Sequence, residues 1–248
     1  MTAIKKITLL ALLLVFNTGG FSQTTTDENL KHTLEVGLLF SPDYCNIALR
    51  NIDGSALYNQ VIASERKAIK PKIGYSTGLN VCYHVSRGFA IELGVQYSEK
   101  GYSEAFSGFV FPFIQPSPAP TKVNYFYNYY YMDIPLKFNM SLGKKKLSFI
   151  GSLGLTTNLF IQQKSTSKTT YSDGSVTTTP SSSAFGNTSA VNLSPTASAG
   201  IDYRFSKLIH LRIEPTIRYG VLKTDNSNYI GSYLWNAGIS VGVYFKVP

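Results

Sequence analysis

Charge is scarce in this chain. Asp, Glu, Lys and Arg make up 15% of 248 residues, against roughly 25% in an ordinary soluble domain. A surface built from so little charge is poorly suited to water. Cysteine is nearly absent as well: Cys45 and Cys82 are too few for a disulfide framework, and no CxxC pair occurs. The three histidines, His32, His84 and His210, form no HExxH motif, so no metal site is expected from spacing. "DNSN" carries too few ligands for a calcium loop. Beyond the first residues no apolar run reaches the roughly 20 residues that a membrane-spanning helix needs. The net charge of +9, or +7 without Lys5 and Lys6, raises a nucleic-acid reading. No basic cluster interleaved with aromatics supports one, and no nucleic-acid partner is expected.

The start of the chain is readable. "MTAIKK" is basic, "ITLLALLLVF" is apolar, and "NTGGFS" ends in small residues. This reads as a secretory signal peptide over 1–22, cleaved between Ser22 and Gln23. Residues 23–32 then form a short periplasmic segment, and 33–248 one β-domain.

Aromatics are abundant, with 17 Tyr and 15 Phe, and they sit in segments that alternate apolar and polar. "IHLRIEPTIRYGV" is the strictest: Ile209, Leu211, Ile213, Ile217, Tyr219 and Val221 against His210, Arg212, Glu214, Thr216 and Arg218. A period of two means an extended strand with two unlike faces. Eight such strands are predicted, over 33–41, 72–85, 88–100, 126–142, 146–162, 193–205, 209–221 and 232–247. The links "SRG", "GKK" and "SKL" have hairpin length and alternate with longer ones. Every tight turn therefore falls at one end and every long loop at the other. The predicted fold is an all-β, eight-stranded antiparallel up-and-down transmembrane β-barrel of the outer-membrane type.

Side-chain size decides which face looks inward. An eight-stranded barrel leaves an interior only wide enough for side chains. The polar face is mostly small (Gly37, Gly74, Ser76, Gly94, Ser152, Gly238 and Gly242 among others), whereas the opposite face is bulky. An Arg facing lipid would also cost about 2–4 kcal/mol near the midplane. The lumen is therefore expected to hold a polar network of Glu35, Glu92, Asp133, Lys137, Asp202, Arg204, Arg212, Glu214 and Arg218.

Two aromatic belts are expected. Tyr125, Tyr127, Tyr129, Tyr131, Tyr219, Tyr233 and Trp235 belong to the long-loop end, and Tyr83, Phe89, Tyr203, Phe205, Tyr244 and Phe245 to the turn end. Cys45 and Cys82 fall towards opposite ends, beyond the roughly 7 Å that a disulfide tolerates, and are expected as free thiols. Pro135, Pro195 and Pro215 lack the N–H that a closed barrel uses, so local bulges are expected beside them.

"YYMDIPLKF", Tyr130–Phe138, and the ending "GISVGVYFKV" resemble the outer membrane protein beta-barrel family of Bacteroidetes, the PorT-like group. The resemblance implies a bacterial outer-membrane location, lipid as surroundings and the barrel-assembly machinery as a partner in biogenesis. It carries no catalytic residues over.

A search for chemistry leaves little. The three histidines map to the turn end, away from outer-leaflet lipid, and no catalytic residue, cofactor or metal ligand is predicted. A filled lumen excludes diffusion of solutes. What remains is contact through the long loops, where Phe106, Phe109, Phe111 and Phe113 precede Pro116, Pro118 and Pro120. These aromatics either meet a protein partner or form a lipid-contacting flap, or else pack on one another above the membrane. The Ser/Thr-rich "STSKTTYSDGSVTTTPSSS" is expected as a flexible, solvated loop. The function read from sequence is thus a non-enzymatic structural or interaction module, within a secretion or envelope assembly. The alternative is a small lipid-active or substrate-conducting barrel.

Overall fold

The computed structural model describes residues 32–108, 117–143, 146–183, 188–225 and 227–247. The expected signal peptide lies outside them. The strands in chain order are β1 (Leu34–Asn51), β2 (Ile69–Lys70), β3 (Lys72–His84), β4 (Phe89–Ser107), β5 (Pro120–Leu142), β6 (Leu147–Tyr171), β7 (Val176–Ser183), β8 (Val191–Arg204), β9 (Ile209–Tyr219) and β10 (Ile230–Val247). One helix, α1 (Ala56–Ala68), stands between β1 and β2. No helix among the described residues is long and apolar enough to cross a membrane.

Eight strands close a ring in the order β4-β3-β1-β10-β9-β8-β6-β5, and β5 returns to β4. Every pairing is antiparallel. First and last strands meet along their length, from Leu34 opposite Val247 to Asn51 opposite Ile230. Closure satisfies backbone groups that would otherwise face hydrocarbon unpaired, each at a cost of several kcal/mol. The tight turns are held by Ser86 N donating to Phe89 O and Ser206 N donating to Ile209 O.

Several links expected as loops are structured. β1 continues past Pro42 to Asn51, while β4, β5 and β6 rise well past the membrane region. The Ser/Thr-rich stretch is a hairpin: β6 pairs with β7 from Gln163–Ser183 to Thr170–Val176. Its turn uses Gly174 at φ 83°. Threonine suits extended backbone, and above a membrane both faces of a hairpin meet water, so no apolar alternation marks it.

The prolines behave differently from expectation. Pro135, Pro195 and Pro215 each stay in register with one neighbour, opposite Thr156, Leu155 and Ile239 respectively. On the other side the ladder lapses or ends without slipping, as between Leu93–Leu136 and Gln96–Asp133. The missing N–H therefore costs one pairing and no register. The register shift in the barrel wall falls elsewhere, where Tyr130 pairs with Gln162 but Tyr131 with Phe160. Ile161 is the extra residue.

α1 caps the long-loop end. The Ser55 hydroxyl accepts from Leu57 N at 3.3 Å, satisfying one free donor of the first turn. Arg66 and Lys67 occupy the last turn, where positive charge complements the helix dipole. Arg66 Nη2 also donates to Leu49 O at 2.8 Å. Of its residues Ile62 alone is buried, in an apolar layer with Ile47, Leu49, Tyr129, Tyr131, Phe160 and Leu234. With a single buried residue, α1 leaves no apolar stripe for a sequence reading to find.

Candidate functional site

Outward positions carry the apolar side chains. Leu38, Leu79, Val95, Leu153 and Ile239 are all more than half exposed, and Leu153 reaches 68%. Towards the long loops the rings of Phe40, Tyr75, Tyr97 and Tyr130 form a continuous row at centroid spacings of 6.5, 6.3 and 5.9 Å. Arg50 lies over Tyr219 and Tyr233, and Tyr44 packs on Trp235. Tyr83, Phe89, Tyr203, Phe205 and Phe245 are exposed at the turn end. Three expected belt members point inward instead: Tyr129, Tyr131 and Tyr244 are buried at 7%, 2% and 0% exposure. Tyr129 and Tyr131 plug the mouth, so the bore is polar along the wall and apolar at its outer end.

Tyr244 explains two of the inward glycines. A Cβ on Gly37 would lie 2.5 Å from Tyr244 Cδ1, and one on Gly242 would lie 2.7 Å from its Cε2. Only glycine leaves room for the ring, which covers the Arg212 guanidinium at 4.2 Å and stacks on His210 at 5.1 Å.

The lumen is filled by ion pairs around Glu92. Its carboxylate takes Arg212 Nη1 at 2.6 Å, Lys137 Nζ at 2.8 Å, Asn80 Nδ2 at 2.6 Å and Asn139 Nδ2 at 2.8 Å. Arg212 also faces Asp202 at 3.6 Å, and Lys137 faces Glu214 at 3.7 Å. Ser152 and Ser198 donate to Glu214. Nearer the mouth Lys100 pairs with Asp133 at 2.8 Å and Arg218 with Asp43 at 3.4 Å. Asp43 further accepts from Ser41, Ser76 and Asn236. Pairing and hydrogen bonding of this kind are what make buried charge tolerable.

Of the residues expected in this network, Arg204 does not take part. It sits half-exposed at the turn end of β8 and has no ion pair among the described residues, because its position beside the turn lets the guanidinium reach water. Sequence parity missed four participants. Asp43 lies beyond Pro42, where β1 was expected to have ended, and Lys100 sits at the expected end of its strand. His84 and His210 share the inward parity, but sequence spacing ties them to neither a catalytic nor a metal site.

His84 and His210 close the turn end of the lumen around Glu35. His84 Nε2 lies 2.8 Å and His210 Nε2 3.1 Å from Glu35 Oε2, and His210 Nδ1 lies 2.8 Å from Asp202 Oδ1. Cys82 Sγ is 4.0 Å from His84 Nε2. Cys82 and Cys45 are both free and buried, as the sequence leads one to expect. Among the described residues the buried charged set holds six carboxylates (Glu35, Asp43, Glu92, Asp133, Asp202, Glu214) against four Lys and Arg (Lys100, Lys137, Arg212, Arg218).

A bore filled in this way and plugged by Tyr129, Tyr131, Phe160 and Leu234 leaves no aqueous channel among the described residues. Planar-bilayer recordings of the purified protein are expected to show no sustained open events. Stable large-amplitude conductance would contradict the filled lumen.

Family-level comparison agrees with this geometry. Residues 18–248 match the family model described as "Outer membrane protein beta-barrel domain". The chain belongs to that family. Membership accounts for the closed antiparallel ring and for an outer-membrane location with lipid around the wall. Solved structures similar to this member of the family include the N-terminal β-barrel domain of Pseudomonas aeruginosa OprF, 13% identical, covering 89% of this chain and all of that one at a TM-score of 0.38. Neisserial surface protein A is 12% identical over 86% and 97% of the two chains, with a TM-score of 0.43. Ail of Yersinia pestis is 12% identical over 85% and 99%, with a TM-score of 0.35. No curated protein matches the sequence.

The loop-end candidates divide. Phe109, Phe111 and Phe113 lie outside the described residues. Phe106 is 41% exposed and meets Tyr125 edge-on at 6.0 Å. Tyr102, Tyr127 and Tyr125 continue that stack along β4 and β5. Below it, Glu65, Tyr102, Glu104 and Asp225 line an open pocket beside α1. Burial pushes the Glu104 carboxyl up, against the hydrogen bond it accepts from Tyr127 and with the help of nearby Glu65; burial raises Glu65 too. An acid whose folded pKa is raised binds a proton that the opened state has released, so stability grows as pH falls from the raised value towards the ordinary carboxylate range. Hydrogen exchange of the α1 amides, corrected for intrinsic rate, is therefore expected to slow on acidification through that window. Faster opening would reverse the sign and refute it.

Proposed function

We propose that this barrel is a non-enzymatic interaction module that presents a rigid platform outside the cell, in a secretion or envelope assembly. The observation that carries this reading is how far the wall continues past the membrane. From Tyr97 in the aromatic row to Ser107, β4 stays paired with β5, about 33 Å along the strand. β5, β6 and β7 continue the same sheet. Backbone ordering has an entropic cost of about 1–2 kcal/mol per residue. A ligand-free channel or bare membrane staple has no use for such a structure, whereas a binding surface gains from being preorganised.

Phe106 and Tyr125 stand at the top of this sheet and, together with Phe109, Phe111 and Phe113, are the proposed contact, with a protein as partner. The motif "YYMDIPLKF" supports a PorT-like branch of the family, and the aromatic-ended β10 supports delivery by the barrel-assembly machinery after cleavage of the signal peptide. Deleting 108–118 leaves the β4–β5 pairing below Ser107 intact. In-cell crosslinking of the deletion variant in native outer membranes is expected to lose specific adducts that the full protein forms. An unchanged crosslinking profile would overturn the reading.

A further inference from the structure

We propose that Glu35, Cys82, His84 and His210 form a binding site for one divalent transition-metal ion of the zinc type, at the turn end of the lumen. The residues come from three strands. Glu35 on β1 pairs directly across from Cys82 on β3, His84 follows two places along on the same inward face, and His210 reaches in from β9. Glu35 Oε2, Cys82 Sγ and His84 Nε2 all lie within 4.8 Å of one another, and His210 Nε2 joins at 3.1 Å from Glu35 Oε2. Tetrahedral zinc, with bonds of about 2.0 Å to nitrogen or oxygen and about 2.3 Å to sulfur, sets its ligand atoms about 3.3–3.7 Å apart. The separations of 2.8 Å between Glu35 Oε2 and His84 Nε2 and 4.0 Å between His84 Nε2 and Cys82 Sγ straddle that range. Side-chain shifts of up to about 1 Å bring these three ligands to it, whereas His210, outside that mutually close group, has to swing further to fill the fourth position.

Further contacts of these residues fit a bound cation. His210 is 6% exposed, and its Nε2 lies 3.1 Å from Glu35 Oε2. Its other nitrogen, Nδ1, is held by Asp202 at 2.8 Å, the carboxylate–imidazole arrangement that orients metal-bound histidines. Cys82 Sγ accepts from Asn139 Nδ2 at 3.9 Å, a donor suited to a thiolate. Among the described residues the buried set carries two more carboxylates than Lys and Arg side chains, surroundings that favour a cation. Binding replaces the Cys82 thiol proton, released to solvent, by a doubly charged ion. The lumen gains one positive charge. A mixed Cys, His and Glu set favours Zn²⁺ over the oxygen-seeking Ca²⁺ and Mg²⁺.

The test titrates Co²⁺ into the purified, metal-stripped protein folded in detergent, followed by Zn²⁺. The expected result is one Co²⁺ per chain with the intense visible bands of four-coordinate cobalt and a near-ultraviolet thiolate-to-cobalt band, both abolished when Zn²⁺ displaces it. Cys82→Ser is expected to lose the thiolate band and Cys45→Ser to keep it. His210→Ala is expected to weaken retention at least tenfold. If Cys82→Ser does not fold, X-ray absorption of the zinc-loaded parent decides by the presence of one sulfur at about 2.3 Å. No retained metal after desalting, a six-coordinate spectrum, or a thiolate band that survives in Cys82→Ser would overturn the proposal and leave an imidazole–carboxylate core only.

Discussion

Replacing Arg212 with methionine is expected to lower the unfolding free energy of the barrel by about 3–5 kcal/mol, the range for removing one partner of a buried ion pair. Arg212 is 2% exposed and Glu92 is fully buried. Without the guanidinium, Glu92 keeps Lys137 and two amides, but Asp202 loses its facing cation and Tyr244 the charge beneath its ring. Urea unfolding in lipid vesicles, followed through the fluorescence of the single tryptophan, Trp235, measures the loss. The double variant Arg212→Met with Glu92→Leu removes both charges and is expected to recover part of it, because an unmatched charge costs more than an absent pair. A change below about 1 kcal/mol for the single variant would show that water reaches this part of the bore.

The second large effect lies on the other face of the same wall. Leu79 is 52% exposed and pairs with Leu38 and Val95, between the aromatic row at Tyr75 and the turn-end ring of Tyr83. Leu79→Arg therefore sets a guanidinium near the bilayer midplane, at a cost of about 2–4 kcal/mol. Leu57→Arg is the control: Leu57 is 62% exposed on α1, above the membrane, and the change is expected to stay within about 0.5 kcal/mol. By exposure alone the two leucines look alike. Only the medium they face separates them, so equal responses in vesicles would remove the lipid from the account.

What the sequence revealed follows from where period two carries contrast. Inside the membrane region one face must be apolar and the other must fit a narrow bore, so the alternation of β9 and the small residues of β10 identify strand, face and lumen together. Above the membrane that contrast fades. β1 from Asp43 to Asn51 and the Ser/Thr hairpin of β6 and β7 read as links because water, or the capping layer, meets their faces. α1 escaped because Ile62 alone is buried. Tyr129, Tyr131 and Tyr244 were misplaced because aromatics on a barrel wall suit either a belt or a bore, and glycine partners such as Gly37 and Gly242 become visible only once register is known. The prolines gave no bulge because one lapsed pairing is a smaller disturbance than a register slip, which would turn every following side chain to the wrong medium.

The Glu35, Cys82, His84 and His210 cluster was legible in one respect. All four share the inward parity, and the short "SRG" and "SKL" turns place both histidines at one end. Motif searches look for ligands close in sequence, whereas here the ring of strands brings them together from positions 35 to 210.

The claim beneath all of this is that the large apolar side chains touch hydrocarbon while the small polar ones are shut inside. Methyl-labelled protein in vesicles, with no substitution, tests it through nuclear Overhauser contacts to lipid acyl chains. Strong contacts are predicted at the methyls of Leu38, Leu79, Val95, Leu153 and Ile239, and none at the buried methyls of Thr156, Thr196 and Thr216. Acyl-chain contacts at those threonines, with the leucines silent, would contradict it.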